Sequence, residues 1–321
     1  MTLAVDNPES ATVFDGAQSA PLSGDRLHLN EGPMDLIIGV EGSKKSVREA
    51  FQRAETRFQG LLEGLVSELS ILRQPVGAAP PVVTGSVAKR MVDAVMPHAD
   101  SFVTPMAAVA GAVADEIRDA IANTGNLHKA YVNDGGDIAL FLTSDTEMKV
   151  GLVPALRSSR LGGSTTISAD LPMRGVATSG MGGRSFSFGI ADAVTVLAPT
   201  TAAADAASTL IANEVDIDHP AIQRVPAMSL DPDSDLGDRL VTVERGPLPG
   251  ALIDEALTNG LRYARWAISQ GLINDAYLAC AGQTRIARWN AIGFNEKPAN
   301  LRKAPTAGAK RRTTGDRSDI D

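Results

Sequence analysis

Four short segments carry residue types that could do chemistry together: residues 105–115 (PMAAVAGAVAD), 133–137 (NDGGD), 175–180 (GVATSG) and 204–210 (ADAASTL). In the last, Asp205 and Thr209 stand at i and i+4, on one face of a helix. A carboxylate and a hydroxyl so placed are hard oxygen ligands suited to Mg²⁺. An exposed acid beside a capping-type hydroxyl gives the same spacing. In NDGGD, Gly135 and Gly136 permit positive φ and close backbone approach, which a phosphate or adenylate cradle needs and a plain β-turn also uses. GVATSG ends a strand with Thr178, Ser179 and Gly180, either an N–H and O–H cradle or a surface turn. PMAAVAGAVAD is a small-residue helix in which Gly111 would let another backbone, or a ligand, come close.

Together and in this order, the segments resemble the ApbE family, the FAD:protein FMN transferases. That family shows an AKG-containing helix ending in Asp, a GGD turn, an ATSG segment, a VTV strand and an ADA-x-x-T helix. The matches here are Gly111 and Asp115; Gly135, Gly136 and Asp137; Ala177, Thr178, Ser179 and Gly180; Val194, Thr195 and Val196; and Ala204, Asp205, Ala206 and Thr209. They fall within residues 105–215. The resemblance implies an α+β fold of ApbE-like mixed sheets packed with helices. It implies FAD or FMN as cofactor, with Mg²⁺ near the pyrophosphate. By that resemblance Asp205 and Thr209 hold the metal, helped by a backbone carbonyl near residues 109–110. Gly111, Asp115, Gly135, Gly136, Asp137, Thr178, Ser179 and Gly180 contribute to the cofactor cradle. The family's reaction cleaves FAD at the pyrophosphate and puts FMN on a threonine or serine of an acceptor protein. The metal neutralises charge developing on the phosphates. The expected function is therefore Mg²⁺-dependent FAD binding with FMN transfer or FAD cleavage.

Two departures qualify that expectation. Ala110 stands where the family has the AKG lysine. The family's histidine-containing segment between ATSG and VTV is replaced by residues 181–193 (MGGRSFSFGIADA), and the four histidines, His28, His98, His128 and His219, all lie elsewhere. General-base work in that loop would fall to Asp192, the nearest carboxylate. Arg184 could grip a phosphate or carboxylate as a bidentate fork, with Ser185 and Ser187 as hydroxyl donors. The pattern is closer to an uncharacterised ApbE-related family than to the transferases themselves. Two alternatives stay open: an enzyme acting on another small anionic metabolite on the same scaffold, and a non-catalytic flavin-binding protein.

The elements that must position these residues are legible from periodicity. Apolar residues from Val47 to Leu72 recur at three and four, predicting a helix over 43–73. Helices are also expected over 86–96, from a Thr104 cap and Pro105 start through 122, over 200–215 and over 249–270. Strands are expected over 25–41 around the turn 30–33, on both sides of NDGGD, and over 147–153, 165–171, 193–198 and 240–244. A hairpin is expected over 276–289. Residues 1–24 read as a flexible leader, 25–294 as one α+β domain, and 295–321 as a basic and polar disordered tail.

Bulk properties narrow the partners. The 321 residues carry a formal charge of −8 and only 4% aromatics. That argues against a nucleic-acid or anionic-membrane binder and leaves a small-molecule nucleotide or anionic metabolite as ligand, with an acceptor protein if the transferase reading holds. No apolar run reaches the length of a membrane span, and the N-terminus lacks the pattern of a secretory signal. A cytoplasmic location is the expectation. Small-residue helices and exposed strand edges are compatible with a homodimer. Cys280, the single cysteine, reads as a small buried hydrophobe.

Overall fold

The computed structural model describes residues 16–156 and 162–289. Its first half runs β1 (Gln18–Leu22), β2 (Arg26–Glu31), β3 (Met34–Gly42), α1 (Lys44–Phe58), α2 (Leu61–Ser67), α3 (Leu69–Leu72), α4 (Ser86–Val95), α5 (Val109–Ala122), β4 (Leu127–Asp134) and β5 (Asp137–Leu142). The second half runs β6 (Glu147–Leu152), β7 (Gly163–Ser168), β8 (Gly175–Ser179), β9 (Ala193–Ala198), α6 (Thr201–Glu214), β10 (Ile222–Pro226), β11 (Leu240–Arg245), α7 (Gly250–Ser269), β12 (Asp275–Cys280) and β13 (Gln283–Arg288). Nine strands form one antiparallel sheet in the order β1-β2-β3-β4-β5-β8-β9-β12-β13, and β6-β7 and β10-β11 form separate hairpins. The fold is α+β, as expected: mixed helices and antiparallel sheets.

The helices pack on one face of the long sheet. Leu36 and Ile38 of β3, Val132 of β4, Val194 and Val196 of β9 and Leu278 of β12 are fully buried there, against Ile117 of α5, Ile211 of α6 and Leu257 of α7. On another side of β5, β8 and β9, the hairpin β6-β7 covers a satellite core of Leu140, Ile167, Val176 and Leu197. No helix among the described residues is long and apolar enough to cross a membrane.

Some expected boundaries change. The helix expected over 43–73 is three pieces. Ser43 caps α1, its hydroxyl accepting the Ser46 N–H at 3.2 Å. The run then breaks at Gly60, which sits in the left-handed region at φ 72°. Residues 18–22, expected to belong to the leader, form β1 in full register with β2. Five of the eight residues in 16–23 are small or hydroxylated, so no periodicity announces the strand. β10 also went unannounced; its partner β11 supplies the pairing. Residues 1–15 and the expected tail lie outside the described residues.

Candidate functional site

The GGD turn takes its shape from β4 and β5. Gly135 and Gly136, at φ 62° and 117°, make a two-residue hairpin loop that only glycine enters without strain. The register then sets Asp134 directly opposite Asp137. Two carboxylates at one cross-strand pair repel each other, so this hairpin end is built against its own stability.

The next sheet strand over, β8, brings ATSG alongside. The Thr178 N–H donates to Asp137 Oδ1 at 3.3 Å, and the Thr178 hydroxyl lies 2.9 Å from that of Thr195, its partner on β9. α6 follows β9 and packs across β8 and β9, so Asp205 and Thr209 project toward the same point. Thr209 Oγ1 donates to Ser179 Oγ at 3.4 Å. α5 crosses α6 at Gly111, where an added Cβ would lie 2.4 Å from the Thr201 carbonyl oxygen. The Gly111 N–H donates to Asp205 Oδ2 at 3.0 Å. All four segments thus meet at one place.

That place is a cleft of about 400 Å³. Gly135, Asp137, Thr178, Ser179, Gly180, Asp205 and Thr209 line its floor, together with Val109 and Ala110. Arg184 and Ser185 line it from the following loop. Phe102, Phe186 and Phe188 supply an apolar wall, and the segment 231–236 closes the far side. The cleft therefore has an acidic, hydroxyl-rich floor and an aromatic flank.

The floor is electrostatically uncompensated. Burial drives the Asp205 carboxyl up to about 7; the Gly111 and Ala110 N–H groups oppose this, and the negative charge of Asp134 adds to it. Burial, then Asp205, holds the Asp137 carboxyl well above the usual range. Asp134 rises to about 6, again through burial, although the Asp35 N–H and Arg184 pull it down. Carboxylates crowded this way take up protons or a cation. The donors are hard oxygens, the Asp137 and Asp205 carboxylates and the Thr209 hydroxyl. Among the described residues no three His, Cys, Asp or Glu side chains close a metal cage by themselves. Such a set suits Mg²⁺, which takes one or two protein carboxylates and completes its shell with phosphates and water.

Five expected site residues lie off the lining of the cleft. Asp192, expected as a base, pairs with Arg245 at 2.9 Å and accepts the Ala281 N–H at 2.6 Å, so it fastens β12 and β11 to the loop and does not line the cleft. Asp115 is buried. It accepts the Ala202 N–H at 3.0 Å and so satisfies an open donor in the first turn of α6. Gly136 and Gly111 shape the turn and the helix crossing but do not line the cleft. Ser187, weighed as a donor, is buried, its hydroxyl donating to Asn213 Oδ1 at 3.3 Å. Thr104 is the N-cap of the 3₁₀ turn that Pro105 starts, as expected, but its hydroxyl makes no capping bond; it donates to Asp235 and ties the turn before α5 to the far wall. Among the described residues no histidine lines the cleft. His98 is buried against Tyr263 and Trp266, and burial lowers its ring to about 4.

Sequence reasoning passed over Asp134, the aromatic flank and the segment 231–236. Asp134 stood inside NDGGD, and alternation across a two-residue turn pairs it with Asp137.

A family model described as AbpE bacteria matches residues 18–286. The chain belongs to this family. Membership bears out the resemblance to the ApbE superfamily carried by the GGD, ATSG and ADA-x-x-T segments. The chain is also similar to UPF0280 proteins. It is 35% identical over 189 residues to one from Methanothrix thermoacetophila, covering 56% of this chain and 65% of that protein. It is 42% identical over 127 residues to one from Methanoculleus marisnigri, covering 39% and 50%. The chain thus spans between half and two thirds of these relatives. Among solved structures it is similar to the ApbE protein of Thermotoga maritima, at 13% identity and TM-score 0.42 over 63% of this chain and 88% of that one. It is similar to the apo flavinyl transferase ApbE of Pseudomonas stutzeri at 14% identity and TM-score 0.36, over 63% and 85%.

Proposed function

We propose that this AbpE bacteria family member binds FAD in the cleft with Mg²⁺ and acts on its pyrophosphate, by FMN transfer or by cleavage. The observation that carries the reading is the pair Asp137 and Asp205. Two motif carboxylates, on different elements, stand half-buried in the cleft and both are raised, a state that a divalent cation relieves. Asp205, Thr209 and Asp137 would hold the metal, which when bound would neutralise charge on the phosphates. The Thr178 and Ser179 hydroxyls and the Gly180 backbone would orient the phosphates, and the aromatic flank would shed water from a planar ring. Ser185 and Arg184 stand on the opposite loop, where an incoming hydroxyl or a phosphate would arrive.

The absence of histidine and of the AKG lysine from the cleft keeps a second reading in view: an enzyme for another small anionic metabolite, with Arg184 as its clamp. Incubation with FAD and Mg²⁺, followed by chromatography for AMP, separates the readings. AMP release that disappears in Asp205→Ala supports flavin-nucleotide chemistry. Stoichiometric yellow flavin without AMP supports a carrier. Failure to bind FAD leaves the other metabolite.

A further inference from the structure

The cleft is short of positive charge. Asp137, Asp205, Asp231, Asp233 and Asp235 line it against Arg73 and Arg184. Arg184 is the arginine that reaches the carboxylate floor. Its Nη2 lies 3.8 Å from Asp134 Oδ1. The same guanidinium lies close over the hairpin loop, where a Cβ on Gly135 would be 1.8 Å from Nη2.

The two partners are unequally placed. The Asp134 side chain is 4% exposed and that of Arg184 is 63% exposed. The buried carboxylate is fixed from behind, because the Asp35 N–H donates to the same Oδ1 at 3.4 Å. At 3.8 Å the ion pair is longer than a hydrogen bond, so it aims the guanidinium without consuming its donors. A planar fork whose N–H groups make no hydrogen bond among the described residues, held at one end by a buried acid, is suited to a phosphate or carboxylate.

We propose that Asp134 is a positioning residue that holds Arg184 over the Gly135–Gly136 turn as the fork receiving the ligand's phosphate. Glycine at 135 is then required twice: by its positive φ, and because a side chain would displace the fork. The inference rests on the cleft being the ligand site, as proposed above, and not on the ligand being a flavin.

The test uses the full chain, saturating Mg²⁺ and inorganic pyrophosphate as probe, with affinity read by titration calorimetry. Arg184→Ala changes an exposed side chain and should fold, and it weakens pyrophosphate binding about tenfold or more. Arg184→Lys recovers little of this, because a point charge does not replace a fork. Asp134→Asn also weakens binding, although removing a negative charge beside an anion should by Coulomb's law alone tighten it. In the Arg184→Ala background Asp134→Asn has no further effect. Gly135→Ala weakens binding as Asp134→Asn does. Unchanged or tighter binding in Asp134→Asn, or additive losses in the double variant, would overturn the inference. So would the absence of pyrophosphate binding by the unaltered chain. FAD titrated in parallel separates the two proposals: pyrophosphate binding that depends on the pair, without FAD binding, sinks the flavin reading and leaves the fork standing.

Discussion

Two groups of buried and half-buried acids in this molecule have opposite electrostatics. Glu116 of α5 is nearly covered, at 10% exposure, yet its carboxyl titrates below the usual range. Burial pushes it up, but the Ser86 hydroxyl at 2.8 Å, Arg57 at 2.7 Å and Arg90 at 2.8 Å together outweigh that cost. The group at the cleft, Asp134, Asp137 and Asp205, meets one loosely held arginine, and all three carboxyls are raised. A carboxylate supplied with partners from its own chain is part of the scaffold. Carboxylates met only by backbone N–H groups and one loose arginine are the ones that the proposed cation would compensate. Asp115, behind the cleft, shows an intermediate case: burial raises it although α6 N–H groups and Arg118 oppose.

The largest effect expected at the cleft is on ligand affinity. Asp205→Ala should raise the Kd for FAD in Mg²⁺ at least about 100-fold, roughly 2.7 kcal/mol, while the melting temperature at pH 8 holds or rises. A fluorescence titration beside a thermal melt checks both halves. Glu116→Ala should do the reverse. It takes the shared carboxylate from Arg57 and Arg90, leaving them Ser86 and Asp119, and costs on the order of 2 kcal/mol of stability, read by urea unfolding, with FAD affinity unchanged. A loss of FAD affinity there would erase the distinction between the two groups.

The pH dependence is the next effect in size. An aspartate whose folded value is raised favours folding in its protonated form. Its contribution is fully present below the unfolded value near 3.8 and is lost as pH rises through the folded value. For Asp134 and Asp205 those folded values are about 6 and about 7. The metal-free protein should therefore lose on the order of 4 kcal/mol between pH 5 and pH 8 when the two groups titrate independently. Asp205→Asn should flatten that slope, and Mg²⁺ should restore stability more at pH 8 than at pH 5. The smallest effect is at Ser185, which is exposed at the mouth. Ser185→Ala should change the rate of any FAD turnover by less than about threefold, within the range of a surface change. A loss of 100-fold in AMP release would move that hydroxyl into the chemistry.

Much of the site was legible because its residues sit where local rules are strong. Two glycines between acids make a hairpin loop with fixed register, and i,i+4 spacing puts Asp205 and Thr209 on one helical face. The sheet then needed only antiparallel pairing to bring β5, β8 and α6 together. What stayed hidden depends on tertiary contact. Gly111 and Asp115 were read as cradle residues, yet one permits a helix crossing and the other satisfies the start of α6. Nothing in their spacing separates these roles. Asp192 looked free in sequence because Arg245 lies 53 residues away. The segment 231–236 reaches the cleft only through contacts such as Asp235 with Thr104, for which no periodic pattern exists.

The central claim is that the cleft carboxylates take a divalent cation in order to receive a phosphorylated ligand. The most direct measurement is the fluorescence titration of FAD against the full chain at pH 8, once with Mg²⁺ and once with a chelator. The account predicts saturable binding with Mg²⁺ and at least about a tenfold weaker Kd with chelator. Equal affinity in the two titrations would contradict it.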